Sequence, residues 1–194
     1  MVEALRPTRG GFSRPFGTTI FIRDLLNGQG QKYGAPVIDP KVGAPQQDIH
    51  AAYKSALHRA MAEDAAAWDA EEAIRAGKPL TPEEVEARRD YYLARIPYKL
   101  TRMRYHSFLT YFGMLKRLAW VEPTGRVETS SAQEMMALEP SEKPRAAGQP
   151  RIYYRLTDKG KAASIVELSN PMRLLYPQFT AEYFREARKA KRYY

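Results

Sequence analysis

The chain has 194 residues, of which 44% are hydrophobic and 11% aromatic, and it carries a formal net charge of +9. This length suits one full domain with extensions, and the apolar content supports a buried core, which excludes global disorder. The absence of cysteine excludes disulfides and thiolate metal sites. No apolar run approaches the ~20 residues of a membrane span, and no apolar segment typical of a secretory signal occurs, so we expect a cytoplasmic or nucleoid-associated protein that contacts no membrane.

The first 26 residues combine a basic segment with a short apolar one. Residues 1–17 contain Arg6, Arg9 and Arg14 among glycines and prolines, which predicts a flexible basic arm. Such an arm either makes no contact or enters a DNA minor groove. Residues 18–26 predict a first helix, with a strand as the alternative because the segment begins with β-branched residues.

A long helix is predicted over residues 46–76, after a glycine- and proline-rich loop at 28–46. Pro45 precedes this helix and Gly77 follows it, in the positions that favour a start and a stop. Its expected buried stripe contains Ile49, Tyr53, Leu57, Met61 and Trp68.

The next helix has the clearest start signal in the chain. Thr81 is an N-cap, Pro82 occupies the first helical position, and Glu84 completes a capping box. We expect this helix to continue to about Ile96, where Pro97 ends it.

The pattern at residues 104–118 predicts an amphipathic helix that runs into a strand at Trp120. Its apolar stripe consists of Tyr105, Phe108, Leu109, Phe112 and Leu115. The segment 123–125 is predicted to turn the chain out of the strand, and the polar residues 127–150 read as an enlarged, mobile wing.

A second strand and further helices are predicted after this wing. Ile152, Tyr154 and Leu156 alternate with polar neighbours, and Thr157 can cap a helix over residues 158–168. Residues 169–194 are predicted to form a basic extension with a final helix at 179–191. Its end, FREARKAKRYY, is equally consistent with a basic tail that contacts phosphates and with a dimerisation helix.

The predicted elements over residues 104–168 follow the order helix, strand, long loop, strand and helix. This is the order of the second half of a winged helix-turn-helix. The stretches LKRLAWVE (115–122) and YRLTDKG (154–160) resemble this superfamily, particularly prokaryotic regulators of the MarR and PadR kind. There the recognition helix commonly ends in L-x-x-L-G-L-V-E and the wing returns as Y-x-L-T-x-K-G; Ala119 stands where that pattern has glycine. We therefore expect a mostly α fold with a small β-hairpin (α+β), with the winged domain at 18–168 and the long helix as an insert.

Charge is distributed unevenly along the chain. Residues 95–126 contain seven basic residues and one acidic residue, whereas residues 61–90 contain nine acidic and four basic residues. A solvated surface more often contains charges of both signs. The concentration of positive charge around the amphipathic helix indicates an anion-binding surface.

The predicted nucleic-acid-binding residues divide by role. Side chains that can reach base edges in a major groove are Arg102, Arg104, Ser107, Tyr111 and Arg117, with Arg104 and Ser107 best placed at the helix N-terminus. Expected phosphate contacts are Lys99, Lys116, Arg126 and Arg151, while Thr110 suits either role. The alternative is a core helix with an ordinary solvated basic face.

Other chemistries find little support in the sequence. Aromatic residues around this helix fit a core better than a base-stacking platform. The three histidines, His50, His58 and His106, lack metal-ligand spacing, and no nucleophile motif occurs. We expect no catalysis, no metal and no cofactor.

The expected function is duplex DNA binding by a dimeric transcriptional regulator. The alternatives are a winged-helix interaction module or structural subunit of a larger nucleoprotein assembly, and an RNA-binding protein.

Overall fold

The computed structural model of the chain describes residues 15–96, 103–129 and 150–178. It is mostly helical with a small antiparallel sheet, which confirms the predicted α+β class. Residues 1–14 of the predicted arm, 130–149 of the predicted wing and the predicted helix at 179–191 lie outside the described residues. The helices are α1 (Thr18–Leu26), α2 (Gln46–Arg75), α3 (Pro82–Arg95), α4 (Tyr105–Arg117), α5 (Asp158–Ala162), α6 (Ile165–Ser169) and α7 (Pro171–Leu175), with a 3-10 turn at Gly30–Tyr33. The strands are β1 (Ala44–Pro45), β2 (Val121–Thr129) and β3 (Pro150–Leu156).

The sheet has the order β1-β3-β2, and both strand pairs are antiparallel. The predicted exit at 123–125 is wrong: the chain bulges between Pro123 and Val127 and then pairs again as far as Thr129. Strand β1, which lies within the predicted loop 28–46, pairs Ala44 with Tyr154.

The core lies where α1, the first half of α2, α4 and the inner face of the sheet meet. Residues 18–26 form a helix rather than the alternative strand. Fully buried side chains come from each of these three helices and include Phe21, Ile22, Leu25, Ile49, Tyr53, Leu57, Phe108, Phe112 and Leu115. This apolar contact fixes the position of α4.

The second half of α2 leaves the core and pairs with α3, forming what we call the α2–α3 hairpin (residues 61–75 and 82–95). Ala62 and Ala66 are buried, whereas Trp68 is 40% exposed. The predicted stripe is confirmed at Ile49, Tyr53 and Leu57, and Met61 packs against the core. It is wrong at Trp68, because the small residues take the side on which α3 packs.

Helix α3 depends on its ends and on polar contacts, since none of its own residues is buried. The predicted capping box is present: the Glu84 N–H donates to Thr81 Oγ1 at 3.3 Å, and the Thr81 N–H donates to the Glu84 carboxylate at 2.8 Å. The Tyr92 hydroxyl lies 3.0 and 3.1 Å from the two oxygens of Asp69. Burial and this carboxylate raise the pKa of Tyr92 to about 12, so its hydroxyl stays a donor at neutral pH.

Hydrogen bonds between residues of the two stretches 115–122 and 154–160 join the end of α4 to the start of α5. The Thr157 N–H donates to the Trp120 carbonyl at 3.1 Å, and its hydroxyl donates to the Ala119 carbonyl at 2.7 Å. The same hydroxyl accepts from the Gly160 N–H at 3.0 Å, which confirms the predicted cap. We call Ala119, Trp120, Thr157 and Gly160 the α4–α5 junction.

Residues 158–168 form two short helices rather than the single predicted one. Ser164 starts α6 with its own capping box, in which its side chain accepts from the Glu167 N–H. Leu168 is 1% exposed, and its carbonyl accepts a hydrogen bond from the Thr19 hydroxyl, which attaches α6 to α1.

Ala119→Gly is expected to raise the free energy of unfolding by about 0.5–1 kcal/mol. Ala119 has φ = 54°, the left-handed conformation that a Cβ disfavours. Urea denaturation measures the change. Ala87→Gly, at an exposed helical position of α3, is the matched control and should instead lose about 1 kcal/mol. Equal losses in the two variants would contradict the assignment of strain to Ala119.

Candidate nucleic-acid interface

Helix α4 is held by its apolar side. The rings of Phe108 and Phe112 are fully buried, 5.8 Å apart between centroids, and Phe112 meets Tyr154 of β3 edge-on at 5.0 Å. Before the helix, the Met103 carbonyl oxygen lies 2.7 Å from His50 Nε2 on α2. These aromatic rings belong to the core, so they cannot stack on bases.

The opposite side of α4 is exposed and polar. Exposed side chains at its start and along its length are Arg104, His106, Ser107, Thr110, Tyr111, Lys116 and Arg117. His106, Thr110, Gly113 and Arg117 follow one another at helical spacing and form the centre of this side. We call these four residues, together with Arg104 and Ser107, the α4 face.

The α4 face is cationic at both ends. Arg104 occupies the N-cap without a side-chain cap bond, and the first turn contains no acidic residue. Among the residues that the structure describes, no carboxylate pairs with Arg104 or Lys116. Positive charge from the helix dipole adds to that of Arg104 at the N-terminal end.

Aromatic side chains hold the two cations at the C-terminal end. Arg117 Nη1 donates to the Tyr176 hydroxyl at 2.9 Å, and its guanidinium carbon lies 5.6 Å from the ring centroid. Lys116 Nζ lies 5.6 Å from the ring centroid of Tyr154. Because neutral rings orient these cations without neutralising them, both keep their full charge for an anion.

The remaining predicted phosphate contacts are placed differently. Arg151 is 8% exposed and its guanidinium pairs with Asp48 of α2, so its predicted role on the surface is not supported. Arg126 is exposed but carries its own counter-ion, since its Nε lies 3.0 Å from the Glu128 carboxylate. The Tyr153 hydroxyl and Arg126 together lower the pKa of Glu128, which keeps this counter-ion charged. Lys99 and Arg102 lie outside the described residues.

His106 is absent from the predicted site, although it lies four residues before Thr110 and eleven before Arg117 on the same side of the helix. That spacing is the signal that identifies it. Its imidazole adds a side chain that can donate or accept a hydrogen bond at the N-terminal half of the α4 face.

Two further features are absent from the described ranges. Three or more histidine or acidic side chains do not come together there as a possible metal site. None of the helices there combines the length and the apolar character that crossing a membrane requires.

The α4 face is the feature of the described residues that points to a function. Ser107, Thr110 and Arg117 are exposed on α4, as is His106, and Arg104 is exposed at its N-cap, whereas Arg151 is buried. No protein-family model, no curated protein and no solved structure matches this chain.

Proposed function

We propose that this chain binds double-stranded DNA as a winged helix-turn-helix protein and acts as a transcriptional regulator. The α4 face carries the proposal: it is a row of cationic and hydroxyl side chains without an acidic residue, on a helix whose other side is buried. A solvated face on a core helix more often mixes charges of both signs.

The dimensions of α4 suit a major groove. An α-helix with its side chains is about 10–12 Å wide, and the major groove is about 12 Å wide. Arg104 and Ser107 at the N-terminal end would lie nearest the base edges, as in other helices that enter a groove by that end. Lys116 and Arg117 would contact the phosphates that border the groove.

The arrangement around α4 supports the winged type. The order α4, β2, connecting segment, β3 and α5 is that of the second half of a winged helix-turn-helix. Both sequence motifs that resemble the superfamily meet at the α4–α5 junction, where Thr157 and Gly160 contact Ala119 and Trp120.

Binding to a labelled mixed-sequence duplex is expected to weaken steeply with salt. The two exposed cations placed at phosphates, Lys116 and Arg117, each release counterions on binding, so log K should fall against log[salt] with a slope of about −2 or steeper. Fluorescence anisotropy over a salt series measures the slope. A flat profile, or no binding at low salt, would refute the proposal.

Selection of bound sites from random duplexes would then show the sequence that the protein reads. A palindromic site would also establish the expected dimer, because operator symmetry mirrors protein symmetry. Stronger competition by structured RNA than by duplex DNA would assign the α4 face to RNA instead.

A second function, as an interaction module within a larger nucleoprotein assembly, is favoured by the α2–α3 hairpin. Helix α3 buries none of its residues, and Trp68 and Tyr91 are 40% and 46% exposed on the two helices. Such exposed aromatics are typical of protein contacts. Gel filtration combined with a mobility shift distinguishes the two functions, since a monomer that ignores duplex DNA fits only the module.

A further inference from the structure

Gly113 lies in the middle of α4, where glycine is unfavourable. In a helix interior glycine is the least favourable residue after proline, because it loses the most backbone freedom on folding. The remainder of α4 consists of ordinary helix-compatible residues. A glycine in this position therefore calls for a reason.

Within the part of the chain that the structure describes, the fold does not supply that reason. The backbone of Gly113 is helical and has no positive φ, so any residue can adopt it. A Cβ built on Gly113 would meet no atom of the described residues within 4 Å. By contrast, a Cβ on Gly160 would lie 2.1 Å from the Trp120 carbonyl oxygen, which is a close approach within the chain.

The position of Gly113 indicates that contact with another molecule requires glycine there. It lies on the α4 face, three residues after Thr110, four before Arg117 and seven after His106. Longer side chains thus border a patch of bare helix backbone. A patch of this kind allows another surface to reach the backbone closely while the bordering side chains contact it on each side.

We propose that Gly113 is the point of closest approach between α4 and duplex DNA. This inference depends on the proposed function and adds a residue that sets how deeply the helix enters the groove. Without a side chain at 113, a groove wall reaches van der Waals distance of the helix backbone, and Thr110 and Arg117 reach their contacts. Any side chain at 113 would hold the duplex away.

The test compares Gly113→Ala and Gly113→Leu with the wild-type chain. Both replacements favour helix, so the melting temperature should rise by about 2–4 °C. Affinity for a fluorescein-labelled mixed-sequence duplex should fall by about 5-fold for alanine and about 50-fold for leucine, as expected when atoms are forced into a packed contact. A more stable protein that binds more weakly is the specific signature.

Two matched controls distinguish the effect of an added side chain on DNA affinity from the effect of a more stable fold. Ala87→Leu adds a side chain on the exposed side of α3, away from the α4 face, and should leave the dissociation constant unchanged. Ala119→Gly stabilises the fold without adding atoms and should also bind normally.

Three other outcomes would overturn the inference, and each identifies a different cause. Unchanged affinity in both Gly113 variants, with wild-type binding intact, would reject the close approach and leave the proposed function standing. A lower melting temperature for Gly113→Ala would show an internal reason for the glycine. Failure of the wild-type chain to bind the duplex would reject the function and the inference together.

Discussion

Gly160→Ala is expected to lower the free energy of unfolding by about 3–4 kcal/mol. The added Cβ would lie 2.1 Å from the carbonyl oxygen of Trp120 and 2.9 Å from its carbonyl carbon. Both are backbone atoms, so the strand entry or the start of α5 must move. That movement would break the Thr157 bonds to the Ala119 and Trp120 carbonyls. Urea denaturation followed by circular dichroism measures the loss.

Gly125→Ala is the matched control for this prediction. Gly125 has φ = 84° and its Cβ would meet nothing within 4 Å, so the substitution costs backbone strain alone, about 1 kcal/mol. If the two variants lose equal stability, close packing at the α4–α5 junction is not what requires glycine at 160.

The double variant Arg104→Ala/Arg117→Ala should weaken duplex binding by at least about 30-fold. Each lost contact to DNA costs about 1–3 kcal/mol, and every 1.4 kcal/mol is a factor of ten. The two arginines lie at opposite ends of the α4 face, and both are exposed, so their removal should leave the core intact. Anisotropy titration at low salt measures affinity, and circular dichroism verifies the fold.

Arg75→Ala/Lys78→Ala removes the same charge from the far end of the α2–α3 hairpin and is the control. Both residues are exposed, and Arg75 makes two surface contacts, an ion pair with Glu71 at 3.2 Å and a cation–π contact at 5.9 Å from the Trp68 ring centroid. Full affinity in this control alongside a weakened Arg104/Arg117 variant would locate binding on α4. Equal losses would mean that total charge, and not this surface, controls the affinity.

Local signals in the sequence predict most of the helices. The capping box at Thr81 and Glu84 and the cap at Thr157 are formed by side chains that reach only three residues along the chain, so the sequence contains all that they require. The spacing of Phe108, Phe112 and Leu115 likewise determines which side of α4 is buried.

Structural features that depend on contacts between distant parts of the chain cannot be predicted from such local signals. Strand β1 has two residues and exists because β3 lies beside it, and the exposure of Trp68 follows from where α3 packs on α2. The split between α5 and α6 is different: Ser164 and Glu167 have capping-box spacing, so the signal was in the sequence.

The same distinction holds for the proposed binding surface. Helix periodicity brings Ser107, Thr110 and Arg117 to one side and also identifies His106, whereas Arg104 is the N-cap that precedes the helix. Arg151 is misplaced by sequence reasoning because its partner Asp48 is 103 residues away on another helix. Tyr176, which holds Arg117, comes from the segment after α7 and has no local signal.

The lack of buried residues in α3 also has a dynamic consequence. Its stability comes from end caps, surface ion pairs, the Tyr92–Asp69 hydrogen bonds and packing on small residues of α2, whereas the α1–α2–α4 core is closed by fully buried rings. Local opening of such a helix costs a fraction of the global unfolding free energy. Helix α3 can therefore detach and reclose many times during the life of one native molecule, while α4 stays fixed on the core.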